Sequence, residues 1–260
     1  MLAGQNARSS GHAASGVCSA SHEQSVDMNR LMLRAAELDK GFTLHLQGGL
    51  HIRVLSGVAL DVHAGECVAL SGPSGAGKST LMRCLYSNYR ADGGRVLVRH
   101  RDAMVDIARA DARTVLALRR ETLGYVSQFL RVVPRVAALD LVAERAVQRG
   151  IPPEAARAQA ELLLLRLNIP RRLHRLPPAS FSGGEQQRIN LAHGFIAGYP
   201  IMLLDEPTAA LDAANRAVVI ELIRETRANG AAIIGIFHDI EVSAAVADRS
   251  FAMEPLQDAA

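Results

Sequence analysis

Lysine is nearly missing from this chain. Lys40 and Lys78 are the only two, although Lys and Arg together number 29. Genome base composition accounts for a general bias toward arginine, so a lysine kept at one place is informative. Cysteine is also scarce. Cys18, Cys67 and Cys84 form no C-x-x-C pair and no metal-like spacing, which excludes a disulfide framework and fits reduced thiols in a cytosolic protein. No apolar run approaches the ~20 residues of a membrane-spanning helix. The stretch from Ala231 to Phe237 is only strand-sized. If the protein works at a membrane, another chain supplies the membrane part. Net charge is +3, from 29 basic and 26 acidic side chains, too small to argue for a nucleic-acid partner. No internal repeat is visible.

Apolar residues make up 49% of the 260 positions, enough for a proper core. Residues 1–30 are the exception. They are rich in Ser, Ala, Gly, His and Asn, cannot offset their ordering entropy by burial, and read as a disordered extension. Met28 stands just before the first patterned segment, so 1–27 are expected to lie outside the native protein. From Leu31 to His63 the pattern is short and β-like, with turns expected at Lys40-Gly41 and Gln47-Gly48-Gly49. Cys67 to Leu70 reads as a buried strand entering a glycine-rich loop, followed by a helix from Lys78 to about Ser87. Further strands are expected at Arg95–Arg99 and Gly124–Ser127. Helix formers dominate from Pro134 to Leu176. After Pro177-Pro178 come a helix over 183–198, a strand over 201–205, a helix over 212–229, a strand over 231–237 and a last short helix. Such alternation predicts an α/β fold with a parallel sheet and helices on both faces.

Three motifs carry chemistry. Gly72-Pro73-Ser74-Gly75-Ala76-Gly77-Lys78-Ser79-Thr80 is a complete G-x-x-x-x-G-K-[ST] loop between a strand and a helix. Its glycines let backbone N–H groups face phosphate oxygens, and the helix start adds partial positive charge. Lys78 reaches the outer phosphates and Ser79 holds Mg²⁺. The alternative is a plain glycine-rich turn. Asp205 closes an apolar strand at the carboxyl edge, where ligands gather in open α/β sheets, and its hard oxygens suit Mg²⁺. Glu206 follows as the general base for water. Ser182-Gly183-Gly184-Glu185 is a capping box, S-x-x-E, which accounts for Ser182 and Glu185. It does not account for two glycines in a first helical turn, which cost helix stability.

In this order the three motifs resemble the ATP-binding cassette (ABC) ATPases, from about Leu31 to about Glu254. The resemblance implies a P-loop NTPase with a parallel core sheet, a small antiparallel β subdomain and a helical insertion. Residues 31–257 would form the cassette, with 31–128 and 183–257 as the ATP-binding core and 129–182 as the helical signature subdomain. ATP and Mg²⁺ are the implied cofactors. Ser182 to Glu185 would bind, in trans, the γ-phosphate held by a second cassette, in a homodimer or heterodimer. Phe181 and Glu185 replace the Leu and Gln of the more familiar L-S-G-G-Q. The resemblance places Gln128 at Mg²⁺ and the attacking water, His238 at the γ-phosphate, Asp212 in the loop crossing to the partner, and Phe42 against adenine. Asp212 is equally well a helix N-cap, and Phe42 a core residue of an early strand.

Within that family, Tyr125 to Arg135, Leu85 to Tyr89, Phe181 to Arg188 and Gly235 to Asp239 look like PhnL, the ABC-type subunit of the bacterial carbon–phosphorus lyase system. That resemblance implies an ATP-hydrolysing cytoplasmic subunit partnered with lyase core subunits. It would support formation of a ribose 1-phosphonate 5-triphosphate from ATP and an alkylphosphonate. The alternative is the nucleotide-binding motor of a transporter of the lipoprotein-release or macrolide-export type, docking a membrane permease near Gln128. The chain closes soon after His238, so no C-terminal regulatory domain is expected. An ABC protein acting on ribosomes or DNA is the weakest reading, because there is one glycine loop and no coiled-coil insertion.

Overall fold

The computed structural model describes residues 30–44, 49–128 and 135–256. Residues 1–29, most of the expected turn at 47–49, and the Phe129–Pro134 part of the segment after Gln128 lie outside them.

Two sheets share one chain. β1 (Leu31–Leu44), β2 (Leu50–His63), β4 (Gly93–His100) and β5 (Ala103–Asp106) form an antiparallel sheet in the order β2-β1-β4-β5. β3 (Cys67–Ser71), β6 (Leu123–Val126), β7 (Ile201–Asp205), β8 (Ala232–Ile236) and β9 (Arg249–Ala252) form a parallel sheet in the order β6-β7-β8-β3-β9. β7 and β8 are buried at every position, the near-continuous apolar run that helices on both faces demand. Side chains alternate between two cores. Leu203 and Ile201 join the core that includes the antiparallel sheet, and Met202 and Leu204 join the one that includes the helical insertion, as the period of 2 requires.

The expected turn at Lys40-Gly41 is not there. Both residues lie inside β1, paired with Leu55 and Arg53 across a register shift. A Cβ on Gly41 would sit 2.6 Å from His51 Nε2, so this glycine admits a cross-strand neighbour instead of reversing the chain. Asp92 anchors the spot, accepting from Gly41 N and Lys40 Nζ, each at 2.7 Å. β9 was not anticipated by the sequence pattern, which showed only a short helix there.

The helices are α1 (Lys78–Leu85), α2 (Ala112–Glu121), α3 (Ala138–Gln148), α4 (Pro153–Arg166), α5 (Gly183–Phe195), α6 (Ala213–Ala228) and α7 (Ile240–Val246). Asp111, Ser182, Asp212 and Asp239 cap the N-termini of α2, α5, α6 and α7 through their side chains, each satisfying an orphan N–H. α6 buries Asn215, Val219, Leu222 and Ile223, one helical stripe. α3 and α4 pack on each other and on α5, which joins the insertion to the sheet.

Candidate functional site

Four strands of the parallel sheet deliver the motifs to one edge. The glycine loop follows β3, Ser127-Gln128 follow β6, Glu206 follows β7, and Phe237-His238 follow β8. In a parallel sheet these are all carboxyl ends, where open α/β folds place ligands.

The loop's conformation depends on its glycines. Gly72, Gly75 and Gly77 take φ of 135°, 84° and 86°, a region that L side chains avoid. A Cβ on Gly72 would stand 2.1 Å from Met253 O, and one on Gly77 2.9 Å from Val54 O. Gly75 faces open space. Two glycines therefore let the loop lie against β2 and the chain after β9, while the third leaves the outer surface bare. Lys78 Nζ donates to Gly72 O at 2.7 Å and Pro73 O at 2.8 Å, so the ammonium lies inside the loop. Pro73 and Ser74 are exposed, Ala76 is buried, and Thr80 is half-buried in the first turn of α1.

Below the loop, Asp205 is 4% exposed. Its Oδ1 accepts from Ser79 Oγ at 3.4 Å and its Oδ2 from the Tyr125 hydroxyl at 2.9 Å. Burial pushes the Asp205 carboxyl up, and the neighbouring Glu206 adds to that, while the bonds from Tyr125 and Ser79 oppose it. The Tyr125 phenol is raised by its own burial and by the Asp205 charge. A hydroxyl and a carboxylate oxygen side by side suit a hard cation. Among the described residues no three His, Cys, Asp or Glu gather as a metal cage. A Mg²⁺ here would complete its shell with phosphate and water, as that ion commonly does.

Glu206 has φ of +54°, a strained conformation for a residue with a side chain. Its backbone N donates to Ile236 O at 3.1 Å, which locks the turn to β8. Its carboxylate is flanked on both sides. Gln128 Nε2 donates to Oε2 at 3.0 Å, and His238 Nε2 lies 2.7 Å from Oε1. Glu206 and Gln128, expected at the attacking water, and His238, expected at the γ-phosphate, therefore meet, although Gln128 bonds to Glu206 and not to Asp205 or Ser79.

The remaining expectations sit elsewhere. Ser182, Gly183, Gly184 and Glu185 open α5, with Ser182 and Gly183 exposed. Ser182 Oγ accepts from Glu185 N at 3.3 Å, and Glu185 Oε2 accepts from Ser182 N at 2.9 Å and Ser182 Oγ at 2.8 Å. This is a closed capping box. The Ser182 donors hold the Glu185 carboxyl below its ordinary value. Asp212 is the N-cap of α6, its Oδ1 accepting from Asn215 N at 2.8 Å. Phe42 is half-buried and not a core residue. It packs edge-on against Tyr89, ring centroids 5.3 Å apart, and lines a cavity of about 510 Å³ with Lys40, Asn88 and Asp92. No residue of 72–80 lines that cavity.

Sequence reasoning missed Tyr125 and Asn190. Asn190, 5% exposed inside α5, donates to Ser127 O at 2.6 Å. It ties the helix opened by Ser182 to the residue before Gln128. Its helical neighbours Gln186, Gln187, His193 and Gly194 are not large apolar residues, so the sequence pattern held no signal for it.

A family model described as ABC transporter matches residues 55–209. The macrolide export ATP-binding/permease protein MacB of Brucella abortus is 41% identical over 202 residues, covering 77% of this chain and 30% of that protein. The pyoverdine export ATP-binding/permease protein PvdT of Pseudomonas putida is 41% identical over 193 residues, covering 74% and 29%. The chain thus spans less than a third of the length of these curated relatives. Among solved structures, the dimeric MJ0796 bacterial ABC transporter cassette matches with a TM-score of 0.77 at 26% identity, over 86% of this chain and 94% of that one. A post-hydrolysis dimer of the same cassette, bound to ADP and Pi, matches over 87% and 97%, also at 0.77. These relatives are export proteins, which favours the export-motor expectation over the carbon–phosphorus lyase one.

Proposed function

The chain belongs to the ABC transporter family, and on that premise we propose that it is an ATP-binding and ATP-hydrolysing cassette that works as a pair. The observation that carries the reading is the meeting of Gln128, His238 and Glu206 at the strand edge that also carries the glycine loop. Gly72 to Thr80 cradle the phosphates with backbone N–H groups, and Lys78 exchanges its two loop carbonyls for phosphate oxygens. Ser79 and Asp205 would hold Mg²⁺, which would supply neutralisation of developing phosphate charge. Glu206 accepts a proton from the attacking water, while Gln128 and His238 fix the orientation of its carboxylate. The exposed Ser182 and Gly183, the half-buried Gly184 and Asp212 face a second cassette. Phe42 lies against the adenine.

For what the pair drives, the relatives support the motor of a membrane permease of the macrolide-export type. Among the described residues no helix is long and apolar enough to cross a membrane, so the membrane part would come from chain outside these residues. A second reading is kept because particular residues favour it. Tyr125 to Arg135 and Leu85 to Tyr89 resemble the ABC subunit of the carbon–phosphorus lyase system, which would make the partner a soluble lyase core.

Affinity purification from the native host grown on a phosphonate as sole phosphorus source, with ATP and Mg²⁺ present, separates the two. Co-purification of an integral membrane permease supports the export motor. Soluble lyase subunits without a permease would overturn it in favour of the phosphonate reading.

A further inference from the structure

Tyr125 is the third residue of β6, and its Cα partner on β7 is Leu203. Paired residues share a face, and so do residues two apart. Tyr125, Leu203 and Asp205 therefore stand on the same side of the sheet. From there the Tyr125 hydroxyl reaches Asp205 Oδ2 at 2.9 Å, while Ser79 Oγ meets Oδ1 at 3.4 Å. The two oxygens of one buried carboxylate thus have different partners, and the shorter bond is the phenol's. The ring carrying that phenol is fixed in turn. It stacks on Tyr86 with centroids 5.0 Å apart and planes tilted by 31°. The Arg119 guanidinium lies 4.5 Å from the other ring's centroid and donates to Tyr86 O at 2.9 Å and Asn88 Oδ1 at 3.0 Å. A hydroxyl on so constrained a ring defines a direction for the carboxylate it holds.

We infer that Tyr125 is a positioning residue for the metal, holding Oδ2 of Asp205 so that Oδ1 stays turned toward Ser79. This rests on the reading of Ser79 and Asp205 as the Mg²⁺-holding pair. A free aspartate can change rotamer and turn partway about its broad terminal torsion, and a carboxylate so displaced points neither oxygen at Ser79. Tyr125 removes that freedom before the ion arrives, so less ordering remains for the binding step. Ser79 meets Oδ1 from α1, and Tyr125 holds Oδ2 from β6.

The test measures nucleotide binding without turnover. A fluorescent, non-hydrolysable ATP analogue is titrated with EDTA and then with Mg²⁺, and the ratio of the two dissociation constants is the metal's enhancement. It is measured for the wild type, Tyr125→Phe, Asp205→Asn and the double variant. Tyr125→Phe keeps the ring on Tyr86 and removes only the hydroxyl. The inference expects metal-free affinity within about twofold of wild type and the enhancement cut about tenfold, the worth of one hydrogen bond to a charged group. It also expects no further loss when Tyr125→Phe is added to Asp205→Asn, since both act through one carboxylate. If Asp205→Asn abolishes the enhancement while Tyr125→Phe leaves it intact, the inference is overturned and the metal pair stands. It is overturned in the same way if Tyr125→Phe costs as much in the Asp205→Asn background as alone. If Asp205→Asn itself leaves the enhancement unchanged, the metal pair is wrong and the inference falls with it.

Discussion

Gln128 and Glu206 stand 78 positions apart in sequence and 3.0 Å apart in space, amide nitrogen to carboxylate oxygen. β6 and β7 are adjacent parallel strands, so the residues just past their ends meet. His238, past β8, closes on the other oxygen at 2.7 Å. Glu206→Gln removes the proposed proton acceptor, whereas Gln128→Ala and His238→Ala each remove one of the two bonds to its carboxylate. Each support variant is expected to lower ATP hydrolysis about tenfold to a hundredfold, less than the full effect of about 10²–10⁴ for an acid–base group itself. The double variant should lose less than the product of the two, because both act on one carboxylate. Phosphate release measures the rates. Thermal melts should barely move, since both bonds are exposed.

The glycine loop separates packing from ligand approach. Gly72→Ala would place a methyl 2.1 Å from Met253 O, and it should destabilise the fold by more than about 2 kcal/mol through clash and strain. Gly75→Ala meets nothing within 4 Å. It should cost only about 1 kcal/mol for its positive φ, yet weaken ATP binding by crowding the open face. Chemical denaturation and nucleotide titration on the two variants give opposite orders of severity.

The first turn of α5 offers a cleaner contrast. A Cβ on Gly183 meets nothing, and the residue is helical. Gly183→Ala should therefore stabilise the isolated chain by about 0.5–1 kcal/mol. If the turn receives a phosphate from a second cassette, the same methyl weakens ATP-dependent pairing. A variant that melts higher and pairs worse is the expected result, read by calorimetry and sedimentation.

Burial lowers the His193 imidazole to about 4, and the Arg145 charge contributes. Arg145 Nε donates to His193 Nε2 at 2.9 Å, a bond that requires the neutral ring. Unfolded histidine titrates near 6.5, so between about pH 6.5 and 4 the unfolded chain binds the extra proton. His193 thus contributes stability fully above about pH 6.5, and loses it as pH falls toward 4. Allowing for its partial exposure, the loss is about 1–2 kcal/mol. His193→Gln should flatten that part of the pH–stability curve, measured by urea unfolding at pH 7, 6 and 5.

Where sequence and structure agree, the signals are local. The G-x-x-x-x-G-K-[ST] loop lies between β3 and α1 because a strand, three glycines and a helix follow one another in sequence. β7 and β8 were legible because both faces are buried and their runs are apolar up to Asp205 at the end of β7. Ser182 and Asp212 cap their helices as the short-range patterns implied. The misses are non-local. Gly41 read as a turn, but it makes room for His51 on the neighbouring strand. β9 pairs with β3, about 180 residues earlier, which no window reveals. Tyr125 read only as part of an expected strand and of the segment from Tyr125 to Arg135, and only the fold brings its hydroxyl to Asp205.

The central claim is a composite site made by two cassettes, and sedimentation of the Glu206→Gln variant with and without ATP and Mg²⁺ tests it most directly. The account predicts monomers without nucleotide and, with ATP, a stable dimer holding two unhydrolysed nucleotides, which Gly183→Ala disperses. A variant that binds ATP, stays monomeric at every concentration and hydrolyses it at the wild-type rate would contradict both the shared site and the assignment of Glu206.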